Sequence, residues 1–292
     1  MTVREGFIWL TKAAAVYAAL TAGSITGGMI FYRGVEAPAG FDAAAAQQVL
    51  FIINAAYAAM LAALAARTRL SRIGTGALLF ALFFGVQTLL TQMEAVYFAE
   101  SLNYSLNAIP RDTGMGALTA FVGAAAAAML FARRADETEL QKRSGKSLLW
   151  RFALATALYP VAYWLAGLFI ALQSEAVRDF YGAHIDLINP AALLAFQILR
   201  GVIWAGLAMA AVYGLRGPRL GRAILVGAAF AVFMAAQLFY PNPLMPETVR
   251  MVHLVEIGIS NFVYGLVAAL LLAPRLTGRG HVPDAKVSLL KA

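Results

Sequence analysis

The sequence predicts an all-α integral membrane protein, an eight-helix transmembrane bundle built as a tandem (parallel) repeat of four helices. Three observations predict it. The chain is 61% hydrophobic and only 13% charged, with a mean hydropathy of +0.73, whereas soluble domains carry about 25% charged residues. It contains eight apolar runs, each near the roughly 20 residues that cross about 30 Å of hydrocarbon. Finally, its second and third runs pair with its sixth and seventh without a gap when the chain is displaced by 150 positions, from Ala45/Ala195 to Gln87/Gln237.

In chain order the runs begin with Phe7 to Phe31, which is longer than the 7–15 apolar residues of a secretory signal. Ala19, Gly23 and Gly27 recur there every four residues, a small-residue face for close helix contact. After the turn-forming GVEAPAGFD comes Ala43 to Ala66, then, past RTRLSR, Gly74 to Tyr97 and Gly114 to Phe131. A basic stretch, RRADETELQKRSGK, precedes Leu149 to Leu172 and Pro190 to Tyr213. RGPRLGR leads to Leu220 to Tyr240, and YPNPLMPE to Val249 to Ala273. Proline fixes φ and removes a donor, so YPNPLMPE reads as a rigid cover with Asn242 and Glu247 facing a vestibule.

Charge sets the orientation. Of 23 Lys and Arg residues, 18 fall in the N-terminus, in RTRLSR, RRADETELQKRSGK and RGPRLGR with their flanks, and in the tail from Arg275. The positive-inside rule therefore puts both termini in the cytoplasm of a plasma (inner) membrane protein. Trp9 and Trp150 at the inner ends, with Tyr32, Tyr97 and Tyr240 at the outer, suit interfacial anchoring. The net charge of +8 is a consequence of this loop bias, which argues against nucleic acid as a partner. Without cysteine there is no disulfide, thiolate nucleophile or cysteine metal site, and His184, His253 and His281 show no ligand spacing. No metal and no cofactor are expected.

The displacement of 150 pairs Gln47 with Gln197, Arg69 with Arg219, Arg72 with Arg222, Phe80 with Phe230, Phe83 with Phe233 and Gln87 with Gln237. A displacement of about 141 pairs Trp9 with Trp150 and AFVGAAAAAML with NFVYGLVAALL. Residues 1–134 then form a first four-helix repeat, 135–148 a basic cytoplasmic linker, 149–274 a second repeat, and 275–292 a disordered tail. An even number of helices per copy gives both copies one orientation, related by an axis along the membrane normal with a groove between them.

The polar residues concentrate in the second copy. On the eighth run, at about 100° per residue, Arg250, His253, Glu256, Ser260, Asn261 and Tyr264 share an arc of about 140°. On the sixth, Gln197, Arg200 and Trp204 share a face, with Arg200 near mid-membrane. An unpaired charge there costs at least ~2.5–3.5 kcal/mol, so Arg200 is expected to pair with Glu256, the carboxylate being shared with His253. A secondary polar face comprises Gln87, Thr91 and Glu94, with Gln237 as counterpart of Gln87.

Three functions fit these residues. The first is a carrier or channel-like protein for a small polar or anionic solute, with a proton-sensitive Arg/Glu/His site open to the outer side. The second is an intramembrane enzyme acting on a lipid or quinone-like substrate by acid/base catalysis; the missing nucleophile and metal constellation weighs against it. The third is a non-catalytic assembly or sensor subunit. The expected partners are the lipid bilayer, one small molecule, and a second copy or partner subunit.

Overall fold

The computed structural model describes residues 2–37, 41–100, 104–133, 135, 140–141, 144–182, 189–242 and 245–276. Among these the chain is helical apart from one two-residue strand pairing and the connections. Eight helical runs are long and apolar enough to cross a membrane. Their outward faces carry large apolar side chains such as Phe7, Phe169, Leu199 and Val255, an arrangement that suits hydrocarbon rather than water as the surrounding solvent.

Helix α1 is Val3–Phe31, begun by a capping box in which Thr2 and Glu5 satisfy each other's backbone N–H. Helix α2 is Ala43–Ala66, capped by Asp42. The third run joins α3 (Arg72–Phe83), a π-helical turn (Phe84–Leu89) and α4 (Leu90–Tyr97). Helix α5 is Ile109–Phe131. Helix α6, Gly145–Phe169, begins inside the stretch expected to be linker, because the Ser144 side chain caps it by accepting from the Ser147 N–H. A short helix α7, Glu175–Gly182, precedes α8, Pro190–Gly214, which Asn189 caps. Helix α9, Arg219–Ala235, ends in a 3-10 turn, Ala236–Phe239, and α10 is Glu247–Leu272.

Helix α1 packs against α2 and α5, α2 against α5, and α3 against α5; α6 packs against α8 and α10, α8 against α10, and α9 against α10. Small residues permit the tightest of these approaches. Gly23 and Gly27 of α1 lie against Val122 and Met115 of α5, as their spacing foretold, and Gly227 of α9 meets Gly265 of α10. Between the two groups, α2 meets α9 and α3 meets α8, with Phe83 and Phe233 in ring contact at 4.9 Å. At the arginine-rich end the connection after α2 pairs with the connection after α8: Arg69 N–H donates to Gly214 O at 2.9 Å and Arg216 N–H to Arg67 O at 2.8 Å. Leu140–Gln141 pairs antiparallel with Arg275–Leu276, so the expected tail begins with an ordered pairing; residues 277–292 lie outside the described residues.

Candidate functional site

Two local departures from regular α-helix frame the site. The first is the π turn in the third run, where i→i+5 bonding widens the helix and alters the facing of everything after it. The second is Pro160, buried inside α6. Its ring removes an N–H and leaves the Thr156 carbonyl, four residues back, without its helical donor. Helix α8 packs tightly at that carbonyl: a Cβ added to Gly201 would stand 2.5 Å from Thr156 O.

Arg200, one residue before this contact, is 1% exposed. Its Nη1 lies 2.5 Å from Glu94 Oε1 and donates to Gln197 Oε1 at 3.1 Å. The guanidinium sits 5.3 Å from the Tyr159 ring centre and 5.7 Å from that of Phe196, within cation–π range. Tyr97 stacks on Phe196, with 4.2 Å between the ring centres. Trp204 closes the interior wall by packing on Tyr159, Phe230 and Tyr264.

The expected Arg200–Glu256 pair is therefore corrected to Arg200–Glu94. Helix α6 accounts for the difference: it packs against both α8 and α10, and Tyr159 of α6 sits among Arg200, Trp204 and Tyr264. Glu256 instead turns its Oε2 to His253 Nδ1 at 2.5 Å, while its Oε1 lies near Gly167 of α6. The shared carboxylate was thus half anticipated: His253 takes it, Arg200 does not. His253 Nε2 lies 3.1 Å from the Tyr181 hydroxyl on α7.

Burial first, then the negative charges of Glu94 and Glu256, push the Tyr181 hydroxyl well above its ordinary range. It stays protonated at neutral pH and is able to donate. A phenol both donates and accepts, so the Tyr181 hydroxyl partners His253 Nε2 whichever ring nitrogen carries the proton. Tyr181 thereby ties the His253–Glu256 pair to α7.

The other expected residues divide. Gln197 is fully buried beside Arg200. Gln237 Nε2 donates to Thr91 Oγ1 at 2.9 Å and to Met234 O at 3.0 Å, and Gln87 Oε1 accepts from Thr88 Oγ1 at 2.6 Å. Arg250 donates to the Tyr240 carbonyl, Ser260 lies 3.4 Å from its own helix's Ile257 O, and Tyr264 donates to Ala155 O at 3.2 Å. These three serve backbone carbonyls, and Asn261 is buried. Asn242 accepts from Met245 N–H within its own connection, and Glu247 is exposed in the first turn of α10; Pro243 lies outside the described residues.

Tyr159, Phe196 and Tyr181 were missed. Aromatic residues in an apolar run carry no period that separates a site wall from ordinary core, but Pro160 inside the fifth run was a legible signal of a perturbed helix. A second polar knot lies at the same end of the bundle, where Asp112 accepts from both Tyr32 and Tyr104. Comparison with protein-family profiles, characterised proteins and solved structures gives no match.

Proposed function

We propose that the chain is a carrier for a small anionic solute, with two four-helix units, 1–134 and 149–274, related as tandem parallel repeats about an axis along the membrane normal. The single observation that carries the reading is the Arg200–Glu94 pair, which ties the third run to the sixth across the boundary between the units. A charge pair in that position holds the units together at one end, and its rupture lets them move apart, as alternating access requires.

The repeat reading is supported by reciprocity. The neighbours of α1, α2, α3 and α5 among themselves match those of α6, α8, α9 and α10; α2 meets α9 as α8 meets α3. Phe83 and Phe233, partners under the displacement of 150, touch each other. A residue that contacts its own counterpart sits at a two-fold axis. In this reading Arg200 attracts the anion and the site end of the bundle faces outward. The proton-sensitive element is His253 between Glu256 and Tyr181, with Arg250 on the same helix and Glu94 and Arg200 beyond Tyr181. Imidazole is the side chain whose charge ordinarily changes between pH 5 and 8.

The test is uptake into proteoliposomes across that pH range. The parent protein is expected to give pH-dependent uptake, His253→Gln a flattened profile on an intact fold, and Arg200→Leu no uptake at any pH, because guanidinium remains charged throughout. An unchanged profile in His253→Gln would reduce the pair to a structural seam. The aromatic lining beside an acid–base pair favours a second reading, an enzyme acting on a lipid or quinone-like substrate. That reading requires turnover in detergent, where no compartment exists.

A further inference from the structure

We infer that Arg200 is the carboxylate-binding centre of this site, that Glu94 occupies it as a tethered stand-in, and that the solute is a small organic monocarboxylate that displaces Glu94. The inference deepens the carrier reading and rests on it for movement of the solute, though not for binding. It starts from an asymmetry within one ion pair. Arg200 is 1% exposed and lies against the rings of Tyr159 and Phe196, whereas the Glu94 side chain is 27% exposed. The cation is buried and the anion is the more exposed partner.

The pair is also incomplete. Arg200 meets Glu94 through Nη1, and shares that nitrogen with Gln197. Guanidinium and carboxylate normally engage as two parallel N–H···O bonds. Here Arg200 Nε is buried without a partner, and so is Gln197 Nε2, on a residue that is 0% exposed. Thr156 Oγ1, on the α6 turn facing Gly201, is a third buried polar atom without a partner. Buried donors left unmatched in a hydrocarbon environment are costly, more than in water-facing protein, because no solvent can satisfy them. Three such atoms on the packed helices α6 and α8 leave hydrogen-bonding capacity for acceptor oxygens that Glu94, reaching in from the third run, supplies only in part.

Charge selects the class of acceptor. One carboxylate leaving and one monoanion entering keep the buried guanidinium neutralised. A dianion such as hydrogen phosphate would bring a second negative charge in among Tyr159, Phe196 and Trp204, where desolvation opposes it. The aromatic walls instead accept an apolar or planar body behind a single carboxylate. Release of Glu94 also breaks the tie between the third and sixth runs, so binding and loosening of the two units become one event.

The experiment is chemical rescue. The full-length protein with Glu94→Ala, which lacks the stand-in and leaves room for another carboxylate, is purified in detergent. Its thermal midpoint is measured against acetate, benzoate, chloride and phosphate at constant ionic strength. The midpoint is expected to fall relative to the parent and to recover with acetate or benzoate but not with chloride or phosphate; the recovery should vanish in Glu94→Ala/Arg200→Leu. Should Glu94→Ala not fold, calorimetric titration of benzoate into the parent and into Gln197→Leu replaces it, with binding about ten-fold weaker in the variant for one lost charge-neutral donor. Phosphate rescuing as well as carboxylates, or neither rescue nor benzoate binding by the parent, overturns the inference. Rescue without uptake in vesicles keeps the site and removes the carrier, whereas uptake without rescue keeps the carrier and removes the monocarboxylate.

Discussion

The third and seventh runs, which the displacement of 150 aligns, end in opposite ways. Residues Phe84–Leu89 open into a π turn, while Ala236–Phe239, the positions aligned with 86–89, tighten into a 3-10 turn. The wide turn lets the chain continue as α4 and brings Glu94 to Arg200; the tight turn ends the helix at Tyr240, whose carbonyl Arg250 takes. Even the identical glutamines diverge, Gln87 turning to its neighbour Thr88 and Gln237 reaching across to Thr91. One end became a charged site and the other a connection. Hydrogen-bond pitch decides which side chains face inward as much as residue identity does.

The largest expected effect comes from removing that difference. Deletion of Val86 should return the π turn to α-helical pitch and rotate Glu94 by about 100°, stranding Arg200. The loss of stability should be at least that of an uncompensated buried charge, about 3–5 kcal/mol. Chemical denaturation in detergent measures it; stability equal to the parent's would show that the π turn does not aim Glu94.

Next come Glu94→Gln and Arg200→Leu, each expected to cost about 3–5 kcal/mol, with the double variant recovering most of the loss. Combining Arg200→Leu with Glu256→Gln should give no such recovery. Additive damage in the Glu94/Arg200 cycle would dissolve the pair. A smaller effect separates two glycines of α8: Gly201→Ala should cost about 1–3 kcal/mol by forcing α8 off Thr156 O, while Gly206→Ala, whose Cβ meets nothing within 4 Å, should be nearly neutral. Equal melting temperatures for the two would remove the special contact at Pro160.

The smallest effect belongs to the tyrosines around Asp112. Burial, then the Asp112 hydrogen bond, raises both Tyr32 and Tyr104 above the ordinary tyrosine range near 10. A raised folded-state value means that the folded protein holds protons the unfolded chain has lost. Their stabilisation is therefore complete below about pH 10 and declines as pH climbs above it. An ultraviolet titration should show these two tyrosines ionising late, and Asp112→Asn should bring them earlier; unchanged titration would separate them from Asp112.

Much of the site was legible because helical geometry is local. His253 and Glu256, three residues apart, meet as the 100° step requires, and Gln197 and Arg200 do the same. Gln87, Thr91 and Glu94, expected on one α-helical face, have separate partners, Thr88, Gln237 and Arg200, with a π turn between the first and the second. Arg250, Ser260 and Tyr264 shared the stripe by angle but found backbone carbonyls, because an angle around one helix says nothing of what each level of it confronts.

By itself, the sequence determined the number and extent of the apolar runs, the small-residue seam of α1, and the presence of charges that a hydrocarbon environment cannot leave alone. These follow from transfer energies and the helical repeat, which act residue by residue. The tertiary structure alone decided that Arg200 meets Glu94 and not Glu256, that Tyr159 stands beside the guanidinium, and that Tyr181 meets His253. Those outcomes depend on which helices become neighbours, on a π turn that changes facing midway, and on a proline that opens one carbonyl. Each is a long-range or non-periodic effect, and a periodic reading of one helix at a time does not contain it.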